Sequence, residues 1–128
     1  MADLKQYKMF INGEWIDSES KKTFETLNPE NNKPWAVVPE ASAKDVDEAV
    51  KSAQKAFEGE WSKILPRERA KYLRAIGIKL RENAELLGKV ETIDTGKLYR
   101  ETYKQAHYIA EYYDYYAGLA DKIEGTVL

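Results

Sequence analysis

Asp94, Thr95 and Gly96 form the triplet with the most chemistry to offer in this sequence of 128 residues. D-T-G carries the aspartate of aspartic proteases, in which two such carboxylates share one proton and activate water. A chain with a single triplet would have to dimerise to assemble that pair. The context argues against it. Leu86, Leu87, Val90 and Ile93 precede the triplet at helical spacing, whereas the protease aspartate follows a strand. A carboxylate in the last turn of a helix opposes the helix dipole unless it faces a cation or caps the next element. Spacing favours the second role, with Asp94 or Thr95 capping the next helix. A hard cation is the alternative, since it would take this carboxylate together with backbone carbonyls.

Other chemistries are excluded by residue type. The sequence has no cysteine, so it supplies no disulfide, thiolate metal site or thiol nucleophile. Its single histidine, His107, rules out any centre built on two imidazoles and reads as a packed or solvated side chain. Lys97 follows Gly96, but a phosphate-binding P-loop needs glycine where the chain has Glu91. Tyrosine is concentrated in one place. Tyr99, Tyr103, Tyr108, Tyr112, Tyr113, Tyr115 and Tyr116 lie within 18 residues. The adjacent pairs 112–113 and 115–116 are not expected to share a helix face, so aromatic surface should wrap the helix and leave one side for another subunit or protein segment. Glu101, Glu111, Asp114 and Asp121 offset Arg100, Lys104 and Lys122, which argues against stacking on nucleic acid.

The whole chain agrees. Twenty basic and 22 acidic side chains leave a net charge of −2, so no polybasic nucleic-acid or membrane surface is expected. The composition, 43% hydrophobic and 33% charged, is that of a foldable domain. No apolar run suggests a leader peptide or membrane span, which points to the cytoplasm.

Short elements must position these residues. All four prolines fall within the first 66 residues, dividing an irregular, β-containing third from a helical remainder. Asn12-Gly13 should turn a hairpin between Lys8–Ile11 and Glu14–Ile16. A polar loop over 18–22 leads to strands at Thr23–Leu27 and Trp35–Val38. Ser42 and Asp45 have capping-box spacing ahead of Val46, Ala49, Val50, Ala53 and Phe57, one helix face that should end at Gly59. Pro66 opens a second helix with Ala70, Leu73, Gly77 and Leu80 on one face. A third carries Leu86, Leu87, Val90 and Ile93 to Gly96. The last spans roughly Leu98–Lys122, with Ala106, Ile109, Ala110, Tyr113 and Ala117 on one side. The expected fold is a single α+β unit, with strands and loops over 1–41 followed by four or so helices over 42–122.

These motifs together resemble the opening segment of NAD(P)-dependent aldehyde dehydrogenases. The resemblance rests on Phe10-Ile11-Asn12-Gly13-Glu14-Trp15, Thr23-Phe24-Glu25-Thr26-Leu27-Asn28-Pro29 and Val38-Pro39-Glu40-Ala41. It continues through Asp45-Val46-Asp47-Glu48-Ala49-Val50, Glu91-Thr92-Ile93-Asp94-Thr95-Gly96-Lys97 and 115–125. It implies a part that flanks a larger α/β, Rossmann-like cofactor domain, with 123–128 starting an oligomerisation arm. The parent would bind NAD or NADP and oxidise an aldehyde through a cysteine thiohemiacetal. This chain would hold none of the catalytic or cofactor-binding residues and would be inactive alone. Its partners would be the remainder of the polypeptide and further copies in a homo-oligomer. In betaine-aldehyde-type members a structural monovalent cation, K+ or Na+, would sit on main-chain oxygens at Thr26 and Leu27 and on Asp94. The family often places Ser or Thr where this chain has Leu65, so the helix at Pro66 should lack a side-chain cap. The other reading is a free-standing helical module that self-associates through its aromatic helix.

Overall fold

The structure, a computed structural model, describes residues 4–125. Contacts divide the chain into two compact units, Met1–Lys63 and Ile64–Leu128, where the sequence suggests a single one. Thr126, Val127 and Leu128, the end of the expected arm, lie outside the described residues.

Among its described residues the first unit holds five short strands and two helices. Strands β1 (Lys5–Gln6), β4 (Thr23–Asn28) and β5 (Lys33–Pro39) form a sheet in the order β1-β5-β4, with β1 parallel and β4 antiparallel to β5. Strands β2 (Met9–Ile11) and β3 (Glu14–Ile16) make the expected hairpin, pairing Phe10 with Trp15. Asn12 and Gly13 have φ of 54° and 82°, the left-handed conformations of a two-residue turn. β5 is longer than expected and takes in both Pro34 and Pro39.

Helix α1 (Ala43–Glu58) begins with the expected capping box. Ser42 Oγ accepts from the Asp45 N–H at 3.2 Å, and Asp45 accepts from the Ser42 N–H at 2.8 Å. Asp45 does more than cap. Its carboxylate also accepts from Ser18 Oγ at 2.8 Å and from the Glu19 N–H at 3.1 Å, tying the helix to the polar loop before β4. Ser18, at the start of the expected polar loop, is only 1% exposed. These bonds, led by the Ser42 N–H, hold the Asp45 carboxyl down at about 2. The apolar face of α1 is amphipathic as expected, yet Val46, Val50 and Phe57 remain exposed. Gly59 ends the helix and a single turn, α2 (Glu60–Lys63), follows.

Among its described residues the second unit has three helices: α3 (Pro66–Glu82), α4 (Ala84–Thr95) and α5 (Tyr99–Leu119). Leu65 precedes α3 without a side-chain cap, as expected. α5 packs against both other helices, and its buried residues are Thr102, Ala106, Ala110 and Ala117. They meet small residues. A β-carbon on Gly77 of α3 would lie 3.2 Å from the Ala110 carbonyl, and one on Gly88 of α4 would lie 3.0 Å from the Tyr103 backbone. Thr102 Oγ1 lies 2.9 Å from the Gly88 carbonyl and 2.9 Å from Thr92 Oγ1. The face of α4 turned inward is therefore Ala84 and Gly88, while Leu86, Leu87 and Ile93, the periodic aliphatics, are exposed. Close backbone approach decides this orientation, because a bulky aliphatic at either position would separate the helices.

Candidate functional site

Thr26 and Leu27, the first two residues expected at a cation, lie on β4 where its pairing slips. Thr26 is opposite Ala36 but Leu27 is opposite Pro34, so Trp35 is an inserted residue on β5. Proline has no N–H to give the ladder, and a bulge disrupts main-chain pairing locally. The irregularity thus falls where main-chain oxygens are wanted. The strand leads into a turn closed by Asn28, whose carbonyl accepts from the Asn32 N–H at 2.8 Å and whose side chain accepts from the Glu30 N–H at 2.9 Å.

Asp94 belongs to the other unit, in the last turn of α4. There it lines an open hollow of about 380 Å³ with Leu87, Val90, Glu91, Thr95, Ala106 and Ile109. The D-T-G-K stretch acts as a helix stop. Gly96 is left-handed at φ 74°, and its N–H donates to the Thr92 carbonyl. Lys97 folds back onto the Glu91 carboxylate at 2.7 Å, and Thr95 Oγ1 donates to the Glu91 carbonyl at 2.6 Å. Neither Asp94 nor Thr95 is the N-cap residue of the next helix. Leu98 occupies the N-cap of α5 and makes no side-chain cap bond. The capping expectation fails because Gly96 turns the chain first, leaving both residues inside α4. Among the described residues no three His, Asp or Glu side chains gather as a metal cluster.

The tyrosines sort themselves by face. Tyr113 is half-buried, whereas Tyr108, Tyr112, Tyr115 and Tyr116 are exposed and line, with Glu111, an open hollow of about 270 Å³. Contrary to expectation the adjacent Tyr115 and Tyr116 do share this side, their rings edge to face at 5.3 Å. The turn of an α-helix between neighbouring residues is within reach of two long side chains that lean together. Tyr108 and Tyr112 also pack edge to face, at 4.9 Å, with their hydroxyls 2.6 Å apart. That hydrogen bond raises the Tyr112 pKa. His107 is half-buried with its ring 4.9 Å from Tyr103, consistent with packing.

Known proteins give this framework its family. The profile described as the aldehyde dehydrogenase family matches residues 15–128. The chain belongs to that family and corresponds to an N-terminal segment of it. It is 41% identical over 126 residues to the (Z)-2-((N-methylformamido)methylene)-5-hydroxybutyrolactone dehydrogenase of Acinetobacter baylyi, covering 98% of this chain and 25% of that protein. It is 38% identical to a betaine aldehyde dehydrogenase of Bacillus subtilis, covering 94% and 25%. Among solved structures, an aldehyde dehydrogenase from Bacillus cereus superposes with a TM-score of 0.91 at 40% identity, covering 97% and 26%. A betaine aldehyde dehydrogenase from Staphylococcus aureus, solved with NAD+, gives 0.89 at 39% identity, covering 94% and 24%. The chain spans about a quarter of the length of the relatives it matches.

Proposed function

We propose that this chain works within a longer polypeptide that oxidises an aldehyde to a carboxylic acid with NAD(P)+. The observation that carries this reading is a match to dehydrogenases of this family over 94% and 98% of the chain. The chain brings no thiol of its own, since it has no cysteine. Its part is scaffolding: strands and helices that flank the cofactor domain, in a cytoplasmic homo-oligomer whose other partner is the remaining polypeptide. The test is a chimera. Replacing the matching quarter of the Bacillus cereus enzyme with this chain should preserve aldehyde-dependent NADH formation, while the 128-residue chain alone should give none. A folded chimera that leaves NAD+ unreduced, or turnover by the chain alone, would overturn the proposal.

The family resemblance adds a structural K+ or Na+ to this reading, with Thr26, Leu27 and Asp94 each a residue to test within the longer polypeptide. The pairing slip at Thr26 and Leu27 supports those two as main-chain donors. The thermal midpoint of the chimera should rise with added KCl or NaCl, and Asp94→Asn should remove the rise. An equal rise in that variant would refute the site.

A further inference from the structure

Asn12 and Gly13 carry a chemistry that the dehydrogenase reading leaves unused. Of the five asparagines, Asn12, Asn28, Asn31, Asn32 and Asn83, only Asn12 is followed by glycine. Glycine lacks the β-carbon that would crowd its own amide nitrogen. That nitrogen can attack the side-chain carbonyl carbon of Asn12, closing a five-membered succinimide and expelling ammonia. Water then opens the ring at either carbonyl. The product is aspartate, or isoaspartate with the backbone rerouted through the side chain. One water enters and one ammonia leaves, and no enzyme, metal or oxidant is required. Asn28 is barred from the reaction because Pro29 has no N–H to give up.

The folded turn withholds this reaction. Asn12 is left-handed at φ 54°. That conformation carries a ψ of about +47°. The Gly13 nitrogen then stands anti to the Asn12 β-carbon, whereas ring closure needs the two nearly eclipsed. No side-chain rotamer of Asn12 brings its Cγ to the nitrogen from there. Ser52 Oγ of α1 also donates to Asn12 Oδ1 at 3.3 Å, holding the amide toward the helix. The hairpin that imposes this geometry is small. β2 and β3 form a two-stranded sheet of their own, with Met9 opposite Ile16, Phe10 opposite Trp15 and Ile11 opposite Glu14. A hairpin of this size is marginal by itself, and such elements open locally without global unfolding.

We propose that Asn12–Gly13 is a self-modification site whose clock is the opening of the β2–β3 hairpin. The closed turn is protected and the open one converts. The isoaspartyl product has one more backbone carbon in the turn, so Ile11 and Glu14 cannot return to register. The switch therefore runs one way. Further polypeptide that clamps the hairpin slows the clock without changing the chemistry.

The test is incubation of the 128-residue chain in warm neutral buffer with and without guanidinium chloride. Peptide mass spectrometry follows exchange of the Asn12 amide for an acid, and isoaspartate-specific methylation identifies the rerouted product. Conversion should be at least about tenfold slower in buffer than in guanidinium. Ser52→Ala should speed it in buffer and leave the denatured rate unchanged, while Gly13→Ala should suppress it in guanidinium. The isolated isoaspartyl chain should lose the NMR contacts between Phe10 and Trp15, whose rings lie 4.9 Å apart, and keep its helical circular dichroism. Equal rates in buffer and guanidinium would overturn the proposal. So would conversion spread evenly over the five asparagines, or an isoaspartyl product that retains the Phe10–Trp15 contact.

Discussion

Gly88→Val is expected to destabilise residues 64–128 by about 3 kcal/mol. A β-carbon alone at this position would lie 3.0 Å from both the Cα and the N of Tyr103 and 3.2 Å from the Tyr99 ring. Two of these neighbours are backbone atoms of α5, so no rotamer change makes room. Valine adds two methyl groups to the same clash. Separation of the helices would also break the contact between the Thr102 hydroxyl, 1% exposed, and the Gly88 carbonyl. Intrinsic propensity points the other way, since glycine in a helix interior is about 1 kcal/mol worse than alanine. Gly118 isolates that smaller effect. Nothing lies within 4 Å of a β-carbon there. Gly118→Ala should stabilise by about 0.5 kcal/mol. Urea unfolding of the two variants beside the parent checks both signs. If Gly88→Val unfolds at the parent's midpoint, α4 and α5 do not approach as described.

Asp45→Asn should give the largest polar effect in residues 1–63, and one that depends on pH. The carboxylate joins the start of α1 to Ser18 and Glu19, and its pKa falls from an ordinary 3.8 to about 2. A depressed pKa means that the folded state favours the ionised form. The stabilisation is therefore complete above the unfolded value and disappears as pH falls through the folded one. The gap in thermal midpoint between parent and variant should be constant from neutral pH to about 5, narrow below about 4 and nearly close near about 2. Ser42→Ala supplies the scale. It removes one cap bond, about 1 kcal/mol, and leaves the Ser42 N–H, the largest cause of the low Asp45 pKa, in place. Asp45→Asn should exceed it at neutral pH. A gap that stays open at the acid end would mean that shape, not charge, holds the loop to the helix.

What a sequence reveals depends on how local the causes are. Asn12-Gly13, the Ser42–Asp45 box and the stop at Gly96 are each written within a few residues, and each stands where expected. β1 is invisible at that range because Lys5 and Gln6 show no alternation; their strand exists only through pairing with Ala36 and Val37. The burial of Ser18 is hidden for the same reason, since its partner Asp45 is 27 residues away. In α4 the periodic aliphatics point to the wrong inward side. Such periodicity finds a helix, but the face here is chosen by where two backbones can touch, and Gly88 shows that only once Tyr103 is opposite it. Asp94 suggests a cation from its place at a helix end, whereas Thr26 and Leu27 enter the proposed set through family resemblance alone.

The glycine and alanine seam of residues 64–128 also bears on how that unit comes together. Ala70, Ala84, Ala106, Ala110 and Ala117 have no side-chain rotamers to lose when they are buried, so docking freezes backbone and little else. The contacts are near in sequence. Thr102 reaches Gly88 across 14 residues, and Arg81 reaches Asp114 across 33. Short loops and helical rods place such a unit among fast-folding topologies. It should assemble as three preformed helices sliding into register, with the glycines acting as notches that set how far each can slide.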